Sequence, residues 1–142
     1  MNRQTFPARF EPDPDGGYVV TFRDIPEAIT QGDTMEEAQS MAADALLTAM
    51  DFYFEDRRLV PEPSPAQSGE ILVSLPLSAA AKVELLNLVV AQKERPADLA
   101  RKMGIRPQEV TRLLDPKHAT KIDTLADAFQ ALGKRLQLSL IE

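Results

Sequence analysis

The first thirty residues alternate between apolar and polar positions with the two-residue period of β-strands. Two stretches each place three apolar side chains on one face: Phe6, Ala8 and Phe10, then Tyr18, Val20 and Phe22. Residues 13–17, DPDGG, are a turn sequence between them, so the two stretches are predicted to form a β-hairpin. Pro7 lacks a backbone N–H group and favours an edge position for the first strand. A short third strand is predicted over residues 28–31.

The period changes to that of a helix from Thr34 onward. Thr34 and Glu37 have the spacing of a capping box, in which the Thr oxygen accepts the Glu37 backbone N–H and the Glu side chain reaches back. The apolar residues that follow have the spacing of one helical face: Ala38, Met41, Ala42, Ala45, Leu46, Ala49, Met50 and Tyr53. We predict a helix from Thr34 to about Glu55 that lies across the sheet. A proline-rich loop at residues 61–69 and a final strand at residues 71–75 should follow.

The pattern is helical from Ser78 onward. Ser78 is a candidate N-cap for a helix over residues 79–93, and Pro96 is well placed as the first residue of the next helix. A strand therefore ends, and a helical region begins, at residues 76–78. We place a boundary there, which divides the chain into units of residues 1–77 and 78–142.

The end of the chain carries two helix signals and a short alternating stretch. Thr120 and Asp123 resemble a second capping box, and Gly133 is typical of a left-handed residue after a helix. Leu136, Leu138 and Leu140 then alternate with the polar residues 137 and 139, which predicts a short strand with no partner in its own unit. An unpaired strand favours pairing with a second copy of the chain.

Residues 96–115, PADLARKMGIRPQEVTRLLD, carry the sharpest motif in the chain. Two helices that cross at a tight turn need a small residue at their contact, a glycine in the turn and large apolar residues beneath. Ala100 and Gly104 meet the first two needs, and the large residues are Leu99, Ile105, Val110 and Leu113. The segment predicts a DNA-binding helix-turn-helix with its recognition helix at residues 107–114, although helical hairpins in ordinary bundles can share this spacing.

Six polar side chains around the recognition helix are candidates for DNA contact. Outward residues near its start can reach base edges: Gln108, Thr111 and Arg112. Gln can pair with adenine, Arg with guanine, and a Thr methyl can touch thymine. Flanking cations can neutralise phosphates: Arg106, Lys117 and Lys121. Each residue alone is as compatible with a solvated surface, so the prediction depends on the cluster.

Charge divides the chain at the same place. The net charge of −6 is unexpected for a DNA-binding protein, because affinity depends largely on Lys and Arg meeting phosphates. Residues 1–77 contain 5 Lys and Arg against 14 Asp and Glu, a net charge of −9, whereas residues 78–142 contain 11 against 8, a net charge of +3. This asymmetry indicates a basic protein as partner for the front unit and nucleic acid for the rear unit.

Composition excludes several other classes of protein. The chain has no cysteine, which excludes disulfides, thiolate catalysis and Cys-based zinc sites and fits a reducing compartment. No stretch reaches the roughly 18 apolar residues of a membrane span, and the N-terminus lacks the apolar run of a signal peptide. A cytoplasmic protein is expected.

Catalysis has little support in the sequence. His118 is the only histidine, and no second ligand stands beside it at metal spacing, so a surface or capping role is favoured. Five carboxylates could suggest a metal-dependent nuclease: Asp13, Asp15, Asp24, Glu27 and Asp33. Acidic residues at turns usually bond the local backbone. Without a nucleophile or an activated base, we expect no enzyme activity and no cofactor.

Residues 13–46 resemble the N-terminal domain of HicB-family antitoxins, in which a GGY strand, a D-I-P turn, a T-x-G-D-T link and an E-A-rich helix recur. The rear segment, from PADLARKMG through LLDPKHATKIDTLADAFQALGKRL, is similar to the helix-turn-helix form of that family's C-terminal domain. The resemblance implies an α+β fold: a partial ribonuclease-H-like β-β-β-α-β domain, then an all-α helix-turn-helix domain of the Xre/Cro-like type with a short C-terminal strand. The β-then-helix pattern of the family's ribbon-helix-helix members is absent.

The resemblance also implies a function. The front domain would bind and mask a small basic mRNA-cleaving toxin of the HicA type, while the rear domain would dimerise and repress the operon encoding both proteins. Candidate toxin contacts, chosen from charge and position, are Asp24, Glu27, Asp33 and Asp56. The strands lack the clustered carboxylates of ribonuclease H, so the resemblance indicates a fold without activity. A stand-alone ligand-sensing regulator and a residual nuclease remain alternatives.

Overall fold

The computed structural model describes residues 4–142, so the first three residues of the predicted front unit lie outside it. The chain has the predicted mixed α+β architecture. Its elements follow the order β1 (Thr5–Pro12), β2 (Tyr18–Thr21), β3 (Ile29–Gly32), α1 (Met35–Asp56), β4 (Glu70–Ser74), α2 (Leu77–Ala91), α3 (Pro96–Met103), α4 (Pro107–Leu113) and α5 (Ile122–Ala131).

The four strands form one antiparallel sheet in the order β3-β2-β1-β4. The predicted hairpin of β1 and β2 is confirmed, but the predicted edge position of β1 is wrong, because β4 pairs on its other side. Pro7 is opposite Leu72 of β4, whereas β2 pairs only with residues 9–12 of β1. The proline therefore lies where β1 has a single neighbour, and its missing N–H does not interrupt a two-sided ladder.

Helix α1 begins as predicted. The backbone N–H of Glu37 donates to Oγ1 of Thr34 at 3.1 Å. The helix buries most of the predicted face against the sheet, but Met41 is 39% exposed and Phe54 is buried instead. At about 100° per residue, Met41 lies on the side of the helix opposite Met50 and Phe54. Because Met50 and Phe54 face the core, Met41 faces solvent.

The junction of β3 and α1 requires a glycine. A Cβ atom on Gly32 would lie 2.5 Å from the backbone N of Ala38, in the first turn of α1. A side chain here would push the helix off the sheet, because the blocking atom belongs to the backbone. This contact explains the glycine at the end of β3, two residues before the capping Thr34.

Buried apolar residues form two clusters, and α2 contributes to both. Its small and branched residues in the front cluster, which includes the sheet and α1, are Ala79, Ala80, Val83 and Leu86. Leu85 and Val89 belong to the rear cluster with α3, α4 and α5. The predicted cap at Ser78 is wrong: α2 begins at Leu77, with Pro76 as N-cap and no side-chain capping bond.

The last helix differs from its prediction at its start. Lys121, not Thr120, is the N-cap of α5, and Oγ1 of Thr120 is buried without a hydrogen-bond partner. The predicted left-handed Gly133 is confirmed, with φ of 81°. The predicted C-terminal strand does not form within the single chain, and its pairing with a second copy stays a prediction. Residues 134–142 form no strand and pair with none of the four described strands, and Leu140 is 92% exposed.

The burial of α1 can be tested by a matched pair of truncations. Leu46 is fully buried, so Leu46→Ala should lower the free energy of unfolding by about 2–5 kcal/mol through lost contacts and a cavity. Met41→Ala should cost less than about 1 kcal/mol, because its side chain already contacts water. Urea denaturation followed by circular dichroism measures both values, and similar losses would contradict the placement of Met41.

Candidate functional site

Helices α3 and α4 begin with the same four-residue pattern. An arginine is the N-cap, a proline is the first helical residue, and an acidic residue is the third helical residue. The Arg95 N–H donates to Asp98 at 3.0 Å, and the Arg106 N–H donates to Glu109 at 3.2 Å. Arg95, with help from Arg101, holds the pKa of the Asp98 carboxyl well below its usual range. Each start thus satisfies a backbone N–H that helix termini leave unpaired. The repeated RPAD and RPQE sequences were a usable signal that the sequence analysis missed.

A tight turn joins the two helices and has the predicted packing. Gly104 ends α3 with φ of 67°, and the Ile105 N–H donates to the Ala100 carbonyl at 3.0 Å. Four predicted core residues of the pair are buried in the rear cluster: Leu99, Ala100, Val110 and Leu113. Ile105 is partly buried and packs against the same cluster. Because α4 is fixed from below, its opposite face is free to present side chains.

The exposed face of α4 carries three of the predicted side chains. Gln108, Thr111 and Arg112 are all exposed, and their i, i+3, i+4 spacing places them on one face. The Thr111 hydroxyl donates to the Pro107 carbonyl at 3.3 Å, so its proton is used within the helix. Arg106 is exposed at the N-cap of the same helix. The structure therefore brings four of the six candidates together at the start and along one side of α4.

The two flanking lysines lie on opposite sides of α4. Lys121 and Arg112 line a groove of about 680 Å³ between α3, α4 and α5, and His118 lies beside them. Lys117 lines a second groove with Thr111, between α4 and the end of α1. There its Nζ atom is 3.1 Å from Oδ2 of Asp51. Lys117 thus has an anionic partner within the chain, whereas Lys121 lies in the same groove as Arg112.

Asp24, one of the four acidic candidates of the front unit, fastens a loop. Its two carboxylate oxygens accept hydrogen bonds from the Ser64 N–H and hydroxyl, each at 2.7 Å, and its side chain is only 12% exposed. The same proline-rich loop is held by Arg23, which donates to the Pro65 carbonyl and pairs with Glu70 at 2.9 Å. Hydrogen bonding from Arg23 lowers the pKa of the Glu70 carboxyl.

Glu27 and Asp56 share a partner. Arg58 is 3.1 Å from the Glu27 carboxylate and 3.4 Å from that of Asp56. The Tyr53 hydroxyl donates to Glu27 at 2.7 Å, and burial together with this bond raises the pKa of Tyr53 to about 12. Asp56 keeps 62% of its side chain exposed.

Asp33 is separate from this group. It is exposed before the first turn of α1, while Asp56 ends the same helix. At about 1.5 Å per residue, α1 keeps these two carboxylates roughly 30 Å apart. The four predicted acidic residues therefore do not form one patch: Glu27 and Asp56 meet at Arg58, Asp24 bonds the loop at Ser64, and Asp33 lies at the other end of α1.

Within residues 4–142, no group of three or more His, Cys, Asp or Glu side chains is placed to hold a metal ion. The predicted local bonding of a turn carboxylate is confirmed at Asp13, which accepts the Asp15 N–H at 2.9 Å. No helix in that range combines the length and apolar character needed to cross a membrane.

The structure has a sheet-and-helix cluster and a helical cluster that share α2, and the net charge is −9 over residues 1–77 and +3 over residues 78–142. Residues 5–84 match the family of HicB-like antitoxins of bacterial toxin-antitoxin systems. The chain belongs to this family and is an antitoxin of a toxin-antitoxin system.

Similar proteins match along nearly the whole chain. It is 54% identical over 136 residues to Antitoxin HicB 2 of Photorhabdus laumondii subsp. laumondii, with 96% of each chain covered. It is 51% identical over 136 residues to Antitoxin HicB of Escherichia coli K12, covering 96% of this chain and 99% of the relative. Antitoxin HicB of Pseudomonas fluorescens is 39% identical over 126 residues, covering 88% and 86%.

Proposed function

We propose that this antitoxin neutralises a small mRNA-cleaving toxin of the HicA type through residues 1–77 and represses its own operon by binding operator DNA as a dimer through residues 78–142. The observation that carries the DNA half is the exposed face of α4, held by a tight turn in a unit of net charge +3. The front unit is a partial ribonuclease-H-like fold and the rear unit an Xre/Cro-like helix-turn-helix. Because mRNA and operon DNA are in the bacterial cytoplasm, the proposed toxin neutralisation and repression would take place there.

In this proposal α4 enters the major groove with its N-terminus first. Gln108 and Arg112 read adenine and guanine through bidentate hydrogen bonds, while the Thr111 methyl contacts thymine. Arg106 and Lys121 meet phosphates beside them and fix the register of the helix. Lys117 reaches a phosphate only by leaving Asp51, 3.1 Å away, so its contribution is smaller than that of Lys121.

The toxin half is supported by charge and by the family. Residues 1–77 have a net charge of −9, which attracts a basic partner over a distance set by the ionic strength. Asp33 and Asp56 are the most available of the four candidates, because Asp24 and Glu27 already accept strong hydrogen bonds within the unit. Asp24 and Glu27 would then act chiefly by shaping the surface.

Toxin binding can be tested with the product of the neighbouring small open reading frame. The two proteins should co-purify, and the antitoxin should restore growth. Charge reversal by Asp33→Lys or Asp56→Lys should weaken binding roughly tenfold at low salt, with the effect shrinking as salt screens the charges. Asp44→Lys, a reversal at an exposed position in the middle of α1, is the matched control. If the two proteins do not co-purify, or if growth is not restored, the toxin half of the proposal fails.

DNA binding can be tested on the DNA upstream of the operon. Arg112→Ala should weaken binding by about 1–3 kcal/mol and relax the preference for one guanine, because a bidentate base contact is lost. Arg101→Ala removes a cation that already bonds Asp98 and should change binding by less than about 0.5 kcal/mol. A gel-shift titration at fixed salt measures both, and unchanged binding of Arg112→Ala would exclude this base contact.

The dimer can be tested at the C-terminus. Leu138, Leu140 and Ile141 are 73%, 92% and 94% exposed in the single chain, an apolar surface that pairing with a second copy would cover. A chain truncated after Gly133 should therefore be monomeric in light scattering, while the full chain is dimeric. Should the truncated protein remain a dimer, the contact lies elsewhere.

A further inference from the structure

Lys82 is the one charged residue that is fully buried, at 0% exposure, among residues 4–142. It lies in the middle of α2, a helix whose buried neighbours are otherwise all apolar. Its spacing from Leu85 and Val89 places it on the face of α2 that packs into the rear cluster. An ammonium group in such a place is costly unless every N–H finds an acceptor, so its partners define its role.

Three backbone carbonyls surround the ammonium. Nζ of Lys82 donates to the carbonyl of Arg112 at 2.9 Å, of Asp115 at 3.0 Å and of His118 at 2.5 Å. A lysine has three N–H donors, so the three bonds use its full capacity. Burial lowers the pKa of the Lys82 ammonium, and the nearby Asp115 carboxylate opposes this effect.

These three carbonyls belong to the end of α4 and the turn that follows it. Helix C-termini leave carbonyls without intrahelical partners, and a positive charge there also complements the helix dipole. Arg112, whose carbonyl is bound, carries on the same residue the exposed side chain proposed to read guanine. Lys117 lies between the other two anchored residues, Asp115 and His118.

We propose that Lys82 is a positioning residue for DNA recognition: from inside the protein it fixes the C-terminal end of α4 and the 115–118 turn, so that Arg112 and its neighbours meet the operator without Lys82 touching DNA. This inference rests on the proposed DNA binding. Lys82 is on α2, and α2 also packs into the front cluster. The position of α4 is therefore fixed relative to the front cluster as well.

The main test is Lys82→Met in the full chain, which keeps the apolar stem and removes all three donors. Operator affinity, measured at a temperature where circular dichroism shows the variant folded, should fall about tenfold or more, because contact groups tolerate little misplacement. The slope of affinity against salt should stay unchanged, whereas Lys121→Ala should reduce it by about one. Lys93→Met, the loss of an exposed lysine in the same unit, is the matched control and should have little effect.

A local readout and a chemical rescue distinguish positioning from general stability. Hydrogen exchange of the Leu114, Asp115 and His118 amides, which close the end of α4 and its turn, should speed up selectively in Lys82→Met. Because the chain has no cysteine, Lys82→Cys can be alkylated with bromoethylamine in denaturant and refolded. This restores an ammonium on a side chain of lysine length, and operator affinity should return with it.

The outcomes separate this inference from the proposed function. If the wild-type chain does not bind its operator, the proposed function fails and the inference fails with it. If the wild type binds and folded Lys82→Met binds equally well, only the role of Lys82 is overturned. Global unfolding of both Lys82→Met and unmodified Lys82→Cys would also overturn it, because Lys82 would then stabilise the whole fold rather than place one helix.

Discussion

A single helix, α2, fills two hydrophobic cores at once, and the rest of the structure is arranged around that constraint. One set of its side chains closes the sheet and α1, while Leu85 and Val89 close the rear helices. A 15-residue helix that must satisfy two cores cannot turn to favour one of them without opening the other. The two cores are therefore held together through α2, and the Asn87 side-chain amide adds two hydrogen bonds, accepting from the Val60 N–H and donating to the Val60 carbonyl.

Polar contacts from α1 and α2 also hold α4 and the turn that follows it. Lys82 binds three carbonyls around the end of α4 from beneath, and Asp51 of α1 pairs with Lys117 from the side. A short helix of seven residues has little stability of its own, so its position depends on such tertiary contacts. These contacts join α4 and the turn that follows it to α1 and α2.

The candidate site was predicted in part. Exposure of Gln108, Thr111 and Arg112 followed from helical spacing, which is a local property. The intramolecular partners of Asp24 and Lys117 did not, because Ser64 and Asp51 are 40 and 66 positions away along the chain, and only folding brings them into contact. The burial of Lys82 was missed for a similar reason: a lone lysine in an apolar helix is normally assigned to solvent.

The sequence by itself determined the local features: the hairpin, the Thr34 cap, the helical pair around Gly104 and the opposite charges of the two units. These depend on neighbours within a few residues, where periodicity and turn chemistry decide. Only the tertiary structure decided that β1 is central, that Met41 faces water and that α2 belongs to both cores. Each of these is set by which surfaces meet across the fold, and a helix or strand pattern specifies an apolar face without specifying what covers it.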